Sequence, residues 1–209
     1  SSLIDFGAET YPDIEVVSAT VEGPIHRYGY AAARKRIVRL AHALKTLGVK
    51  PGDRIATLAW NGYRHFELYY AISGIGAVCH TINPRLFDDQ LTYIANHAQD
   101  TYLFFDLTFV PIIERLRPAW PQSMQYVALC DRESMPRVKG VDDLLCYEDL
   151  LAGMPETIAW PEFDEDAAAS LCYTSGTTGD PKGVLYSHRS TILHTFYCSV
   201  QSRDSFVPG

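Results

Sequence analysis

The sequence predicts an α/β domain whose mainly parallel sheet is flanked by helices. Two observations lead there. Between residues 54 and 130, apolar runs of strand length alternate with helical patterns, the rhythm of crossover units that lay successive strands side by side and parallel. At 167–173 a further apolar run enters a loop rich in glycine and hydroxyl side chains. At 209 residues the chain has ample capacity for a core.

Residues 1–21 are poorly patterned, with one strand expected at 15–17. A short turn or hairpin at 26–30 precedes a clear helix, in which Ile37, Leu40, Ala41, Leu44 and Leu47 recur at helical spacing and Gly48 suits the stop. Pro51, Gly52 and Asp53 make a turn before a strand at 54–60. A helix over 63–73, capped by Asn61, leads to a strand at 77–82. Asp88 or Asp89 is expected to cap the next helix, whose inner face is Leu91, Ile94, Ala95 and Ala98. A strand at 102–105, a helix at 110–116 and a strand at 125–130 follow. The acid- and proline-rich stretch 134–166, with one short helix near 141–151, reads as a surface excursion. It divides a first α/β unit (1–133) from the start of a second (167–209), which holds the loop, a strand at 183–187 and a helix from near Arg189.

Composition narrows the function. The chain is 47% apolar and 21% charged, as in ordinary globular proteins. A net charge of −7 argues against nucleic acid as a partner. The one basic cluster, Arg34, Lys35, Arg36 and Arg39, reads as the solvated face of a helix. Five scattered cysteines fit neither a disulfide scaffold nor a zinc site, and point to a reducing cytoplasm. The seven histidines show no metal-ligand spacing. No signal peptide opens the chain, and no apolar run approaches the ~20 residues of a membrane span. Peripheral membrane contact stays open.

The informative stretch is Tyr173-Thr174-Ser175-Gly176-Thr177-Thr178-Gly179-Asp180-Pro181-Lys182-Gly183. Its glycines let backbone N–H groups converge on an anion. Thr174, Ser175, Thr177 and Thr178 add neutral donors, Lys182 adds a positive charge, and Pro181 stiffens the exit. With few apolar contacts, residues 175–180 are expected to open at little cost. The pattern is neither a P-loop, because Lys182 follows proline and precedes glycine, nor a dinucleotide-binding GxGxxG. Composition alone leaves a phosphate grip and a plain surface turn evenly matched.

The ordered string, with the Ser187-His188-Arg189 that follows, closely resembles the phosphate-binding motif of the adenylate-forming superfamily, which includes acyl-CoA synthetases, peptide-synthetase adenylation domains and firefly luciferase. Residues 47–56 (LGVKPGDRIA) and 74–86 (GIGAVCHTINPRL) resemble that family too, and residues 59–86 most resemble medium- and long-chain fatty acyl-CoA synthetases.

The resemblance implies the incomplete large N-terminal domain of an enzyme that activates a fatty acid with ATP and passes it to coenzyme A. It places Thr174, Ser175, Gly176, Thr177, Thr178, Gly179 and Lys182 at the phosphates, Lys182 in a catalytic role, and Thr174 on Mg2+. Tyr173 reads as a buried aromatic ending its strand, and His188 as structural. The adenine pocket, the magnesium glutamate and the C-terminal lysine would lie beyond residue 209, so the chain alone is expected to be inactive. Two alternatives stay open. One is another acid activator: an aryl- or short-chain CoA ligase, or a peptide-synthetase adenylation domain. The other is a non-catalytic module that forms a homodimer.

Overall fold

The computed structural model describes residues 2–174 and 180–201. A short helix α1 (Ser2–Thr10) leads into a two-stranded antiparallel ribbon, β1 (Glu15–Ala19) and β2 (Ile25–Gly29). Helix α2 (Tyr30–Thr46) follows directly. Then come β3 (Arg54–Leu58), α3 (Tyr63–Gly74), β4 (Val78–Thr81), α4 (Asp88–Ala98), β5 (Tyr102–Phe105), α5 (Val110–Leu116) and β6 (Gln125–Ala128). The chain continues through β7 (Leu145–Cys146), α6 (Tyr147–Leu151), β8 (Ala168–Thr174), β9 (Lys182–Ser187) and α7 (His188–Gln201).

The main sheet has the order β7-β6-β5-β3-β4-β8-β9. Every neighbouring pair is parallel except β8 with β9. The chain winds from β3 outward to β4, then returns across β3 to β5, so helices cover both faces. Adjacent residues on one strand therefore enter different cores. Ile55, Phe104 and Val127 pack with Ile37, Leu40, Leu44, Leu68 and Ile72 of α2 and α3. Ala56, Phe105 and Ala128 pack with Leu91, Ile94 and Ile113 of α4 and α5. Burial on both faces explains why these strands read as unbroken apolar runs rather than alternating ones.

Gly48 ends α2 as the sequence suggests. It takes φ +86°, its N–H bonds Lys45 O at 3.0 Å, and Val49 N–H bonds Leu44 O at 3.1 Å. That is a Schellman stop, and it needs the left-handed conformation glycine tolerates. Gly76 (φ +83°) closes α3 in the same way.

The structure differs from the sequence reading at several points. Residues 2–10 are helical although locally unpatterned, because tertiary contacts hold them: Ile4 is buried in the core and Asp5 accepts from Arg34 Nε at 2.6 Å. Asn61 does not cap α3; extended Gly62 occupies the N-cap. Neither Asp88 nor Asp89 is the N-cap of α4. Phe87 is, and its N–H bonds Gln90 Oε1 at 3.2 Å, while Asp88 pairs with Arg115. The basic stretch of α2 is only in part a solvated face: Lys35 is exposed, but each member has an acidic partner. Arg34 pairs with Asp5, Lys35 and Arg39 with Glu156, and Arg36 with Glu67 and Glu148. Residues 145–146, 168–174 and 182–187 add strands to the same sheet as residues 54–128, and Tyr147 is fully buried in its core.

Candidate phosphate-binding site

Strand β8 runs parallel to β4, with Cys79 opposite Ser170 and Thr81 opposite Cys172. Thr174 therefore emerges at the carboxyl edge of the sheet, where ligands of open α/β folds collect. The chain returns antiparallel in β9, which places Lys182 opposite Thr174 and Gly183 opposite Tyr173. Both candidate side chains are exposed, and Pro181, which precedes Lys182, is buried. The Thr174 hydroxyl lies 3.5 Å from Lys182 O, too far for more than a weak bond, which leaves its lone pairs to other partners. Ser175, Gly176, Thr177, Thr178 and Gly179, and with them most of the expectation of an easily opened loop, lie outside the described residues.

Tyr173 does more than end a strand. Its hydroxyl is 2.7 Å from His97 Nδ1 at the end of α4, and its ring lies 5.2 Å from that of His80 on β4. Burial raises its pKa. His80 in turn bonds Asp100 through Nδ1, at 2.8 and 3.0 Å, with both side chains fully buried. Burial pushes the Asp100 carboxyl up, while its bond to His80 pulls it down. Nothing in the sequence announces this arrangement, because its members are separated by 20 and 76 residues.

His188 opens α7 at the far end of β9. Its N–H bonds Ala167 O at 3.1 Å and its ring leans on Phe163 at 4.5 Å, while burial lowers its pKa. The neighbouring Arg189 pairs with Glu165. These contacts tie the hairpin base to the preceding segment, away from Thr174 and Lys182.

Among the described residues no group of three or more His, Cys, Asp or Glu is placed to hold a metal. No two cysteines are joined in a disulfide among those residues. No helix among those residues is long and apolar enough to cross a membrane.

The doubly wound sheet, closed on one side by the hairpin that carries the loop, is the fold of the N-terminal domain of adenylate-forming CoA ligases. It superposes with TM-score 0.82 on the acetoacetyl-CoA synthetase of Streptomyces lividans, at 21% identity over all of this chain and 33% of that one. An anthranilate CoA ligase in complex with anthranoyl-AMP gives 0.78, at 23% identity over 92% and 36% of the respective chains. The chain belongs to the AMP-binding enzyme family, whose pattern it matches over residues 5–208. It is 48% identical over 198 residues to a 3-methylmercaptopropionyl-CoA ligase of Ruegeria lacuscaerulensis. It is 44% identical over 213 residues to a medium-chain-fatty-acid–CoA ligase of Ectopseudomonas oleovorans. These alignments take in 94% and 99% of this chain but only 36% and 39% of those relatives.

Proposed function

We propose that the protein carrying this chain activates an aliphatic carboxylic acid with ATP and transfers the acyl group to coenzyme A. A carboxylate oxygen attacks the α-phosphorus, the bond to pyrophosphate breaks, and acyl-AMP forms. The coenzyme A sulfur then bonds the acyl carbon as AMP leaves with the former carboxylate oxygen. The observation that carries this reading is the placement of Thr174 and Lys182 at the carboxyl edge of the sheet, on either side of the glycine-rich loop. Thr174 to Gly179 and Lys182 line the β- and γ-phosphates in this reading. Donors fixed there meet the charge that grows on departing pyrophosphate without reorganising.

Magnesium fits the donor present. Thr174 offers one neutral hydroxyl oxygen, exposed and weakly engaged. An ion that draws the rest of its octahedron from phosphates and water needs few protein ligands. Bound there, it would neutralise phosphate charge.

The relatives act, by name, on medium-chain fatty acids and on 3-methylmercaptopropionate, both unbranched aliphatic acids. We assign that class to this protein. The test is ATP–pyrophosphate exchange by the intact protein with octanoate, palmitate, 3-methylmercaptopropionate and benzoate. Exchange that depends on one or more of the aliphatic acids is expected. No exchange with any of them, or benzoate as the best substrate, rejects the reading.

A further inference from the structure

We infer that Tyr173 is a positioning residue: gripped by His97 and the buried His80–Asp100 pair, it sets the spacing of Thr174 and Lys182. This deepens the proposed function and rests on it for its activity readout.

The Tyr173 side chain is held on several sides. His97 Nδ1 takes its hydroxyl at 2.7 Å, and the His97 ring meets it edge-on, at 88° and 5.9 Å. His97 is itself fixed by stacking on Tyr93, at 5.2 Å and 21°. The His80 ring leans on the Tyr173 ring, and His80 cannot swing away while Asp100 holds its Nδ1. On the β9 side the register partner is Gly183. A Cβ added there would stand 3.2 Å from both Tyr173 Cζ and Leu171 Cδ1. A larger residue would push these side chains by a few tenths of an ångström, and the glycine lets the β9 backbone lie close over the ring. The ring thus touches the residue after Lys182, and its own backbone precedes Thr174. Moving the ring moves both ends of the loop.

Catalysis of phosphate chemistry is sensitive to such placement, since ~1 Å of displacement can cost on the order of 100-fold in rate. His97→Leu removes the hydroxyl's partner and His97→Gln can restore one. In the intact protein we expect His97→Leu and Tyr173→Phe to lower the maximal rate of ATP–pyrophosphate exchange roughly 3- to 10-fold. Gly183→Ala should cost more, roughly 10- to 100-fold. The KM for the carboxylic acid should stay unchanged, His97→Gln should recover most of the rate, and melting temperatures should stay near wild type. A second readout needs no activity: amide hydrogen exchange at 172–174 and 182–184 should quicken in His97→Leu and not in His97→Gln. Wild-type exchange rates and protection in both His97→Leu and Tyr173→Phe would overturn the inference. So would a uniform loss of stability and of every kinetic constant without rescue by glutamine. A wild-type protein that exchanges with no acid rejects the proposed function instead, and the amide measurement still decides the role of Tyr173.

Discussion

The guanidinium of Arg36 closes on the carboxylate of Glu67 with two nitrogens, Nε at 2.7 Å and Nη2 at 3.2 Å, although the Glu67 side chain has no exposure at all. The same guanidinium reaches Glu148 at 2.9 and 3.0 Å. Tyr147 donates to Glu67 at 2.6 Å, and Arg64 to Glu148 at 2.9 Å. One ionic cluster therefore binds α2, α3 and α6 together over the face of the sheet opposite α4.

Removing one partner of this pair strands a buried charge. Arg36→Met is expected to lower unfolding free energy by about 3 kcal/mol. The double variant Arg36→Met/Glu67→Leu should lose less than the sum of the two single changes, with a coupling of at least about 1 kcal/mol. Denaturant titration of the four proteins measures it. Strict additivity would show the pair to be energetically independent.

Asp106, just past β5, accepts the Trp60 N–H at 2.6 Å, yet burial pushes its carboxyl up to about 6. The unfolded value is lower, so between the two the folded state binds more protons and stability falls as pH rises. The cost is complete above about pH 6 and absent below about pH 4, and partial solvent access limits it to at most ~2 kcal/mol. Asp106→Asn keeps an oxygen for Trp60 without the charge. It should raise the melting temperature at pH 7.5 and do so clearly less at pH 4.5. Equal effects at both pH values would assign the gain to packing instead.

Gly29 joins β2 to α2 where the chain passes the Pro12 carbonyl. A Cβ there would stand 2.4 Å from that oxygen and 3.3 Å from Asp13 Cα. Both neighbours are backbone, so relief requires shifting the ribbon. Gly29→Ala is expected to destabilise by roughly 1–3 kcal/mol. An unaltered denaturation midpoint would mean that the ribbon yields freely.

What was legible in the sequence follows from the length over which each cause acts. The buried strands at 54–58, 102–105 and 125–128 announce themselves because each is apolar on two faces. The stop at Gly48 is legible because the left-handed residue writes its own identity. Helix α1 was not, since Ile4 and Asp5 are held by residues far along the chain. Nor was the role of Arg36, whose partners lie 31 and 112 positions away. Local charge clustering there imitated a wet surface. At the site, Thr174 and Lys182 could be picked out by their string, but the rings that surround Tyr173 come from two other elements and leave no local trace.

Lys182 separates the catalytic reading from its rivals. Its side chain is exposed and its backbone is held by the ladder to Thr174, so truncation at Cβ leaves β9 in place. If its ammonium meets the charge that grows on pyrophosphate as it leaves, the contact strengthens in the transition state. Lys182→Ala in the intact protein should then lower the adenylation rate more than it weakens ATP binding. A charge-assisted contact of this kind contributes on the order of 2–3 kcal/mol, or roughly 30- to 150-fold in rate. A solvated lysine with no such role would leave the rate as it was. A structural one would take stability down together with every activity. The measurement is pyrophosphate exchange at saturating ATP, alongside the melting temperature. A slow variant that melts like wild type supports the catalytic role, and an unchanged exchange rate removes Lys182 from the chemistry.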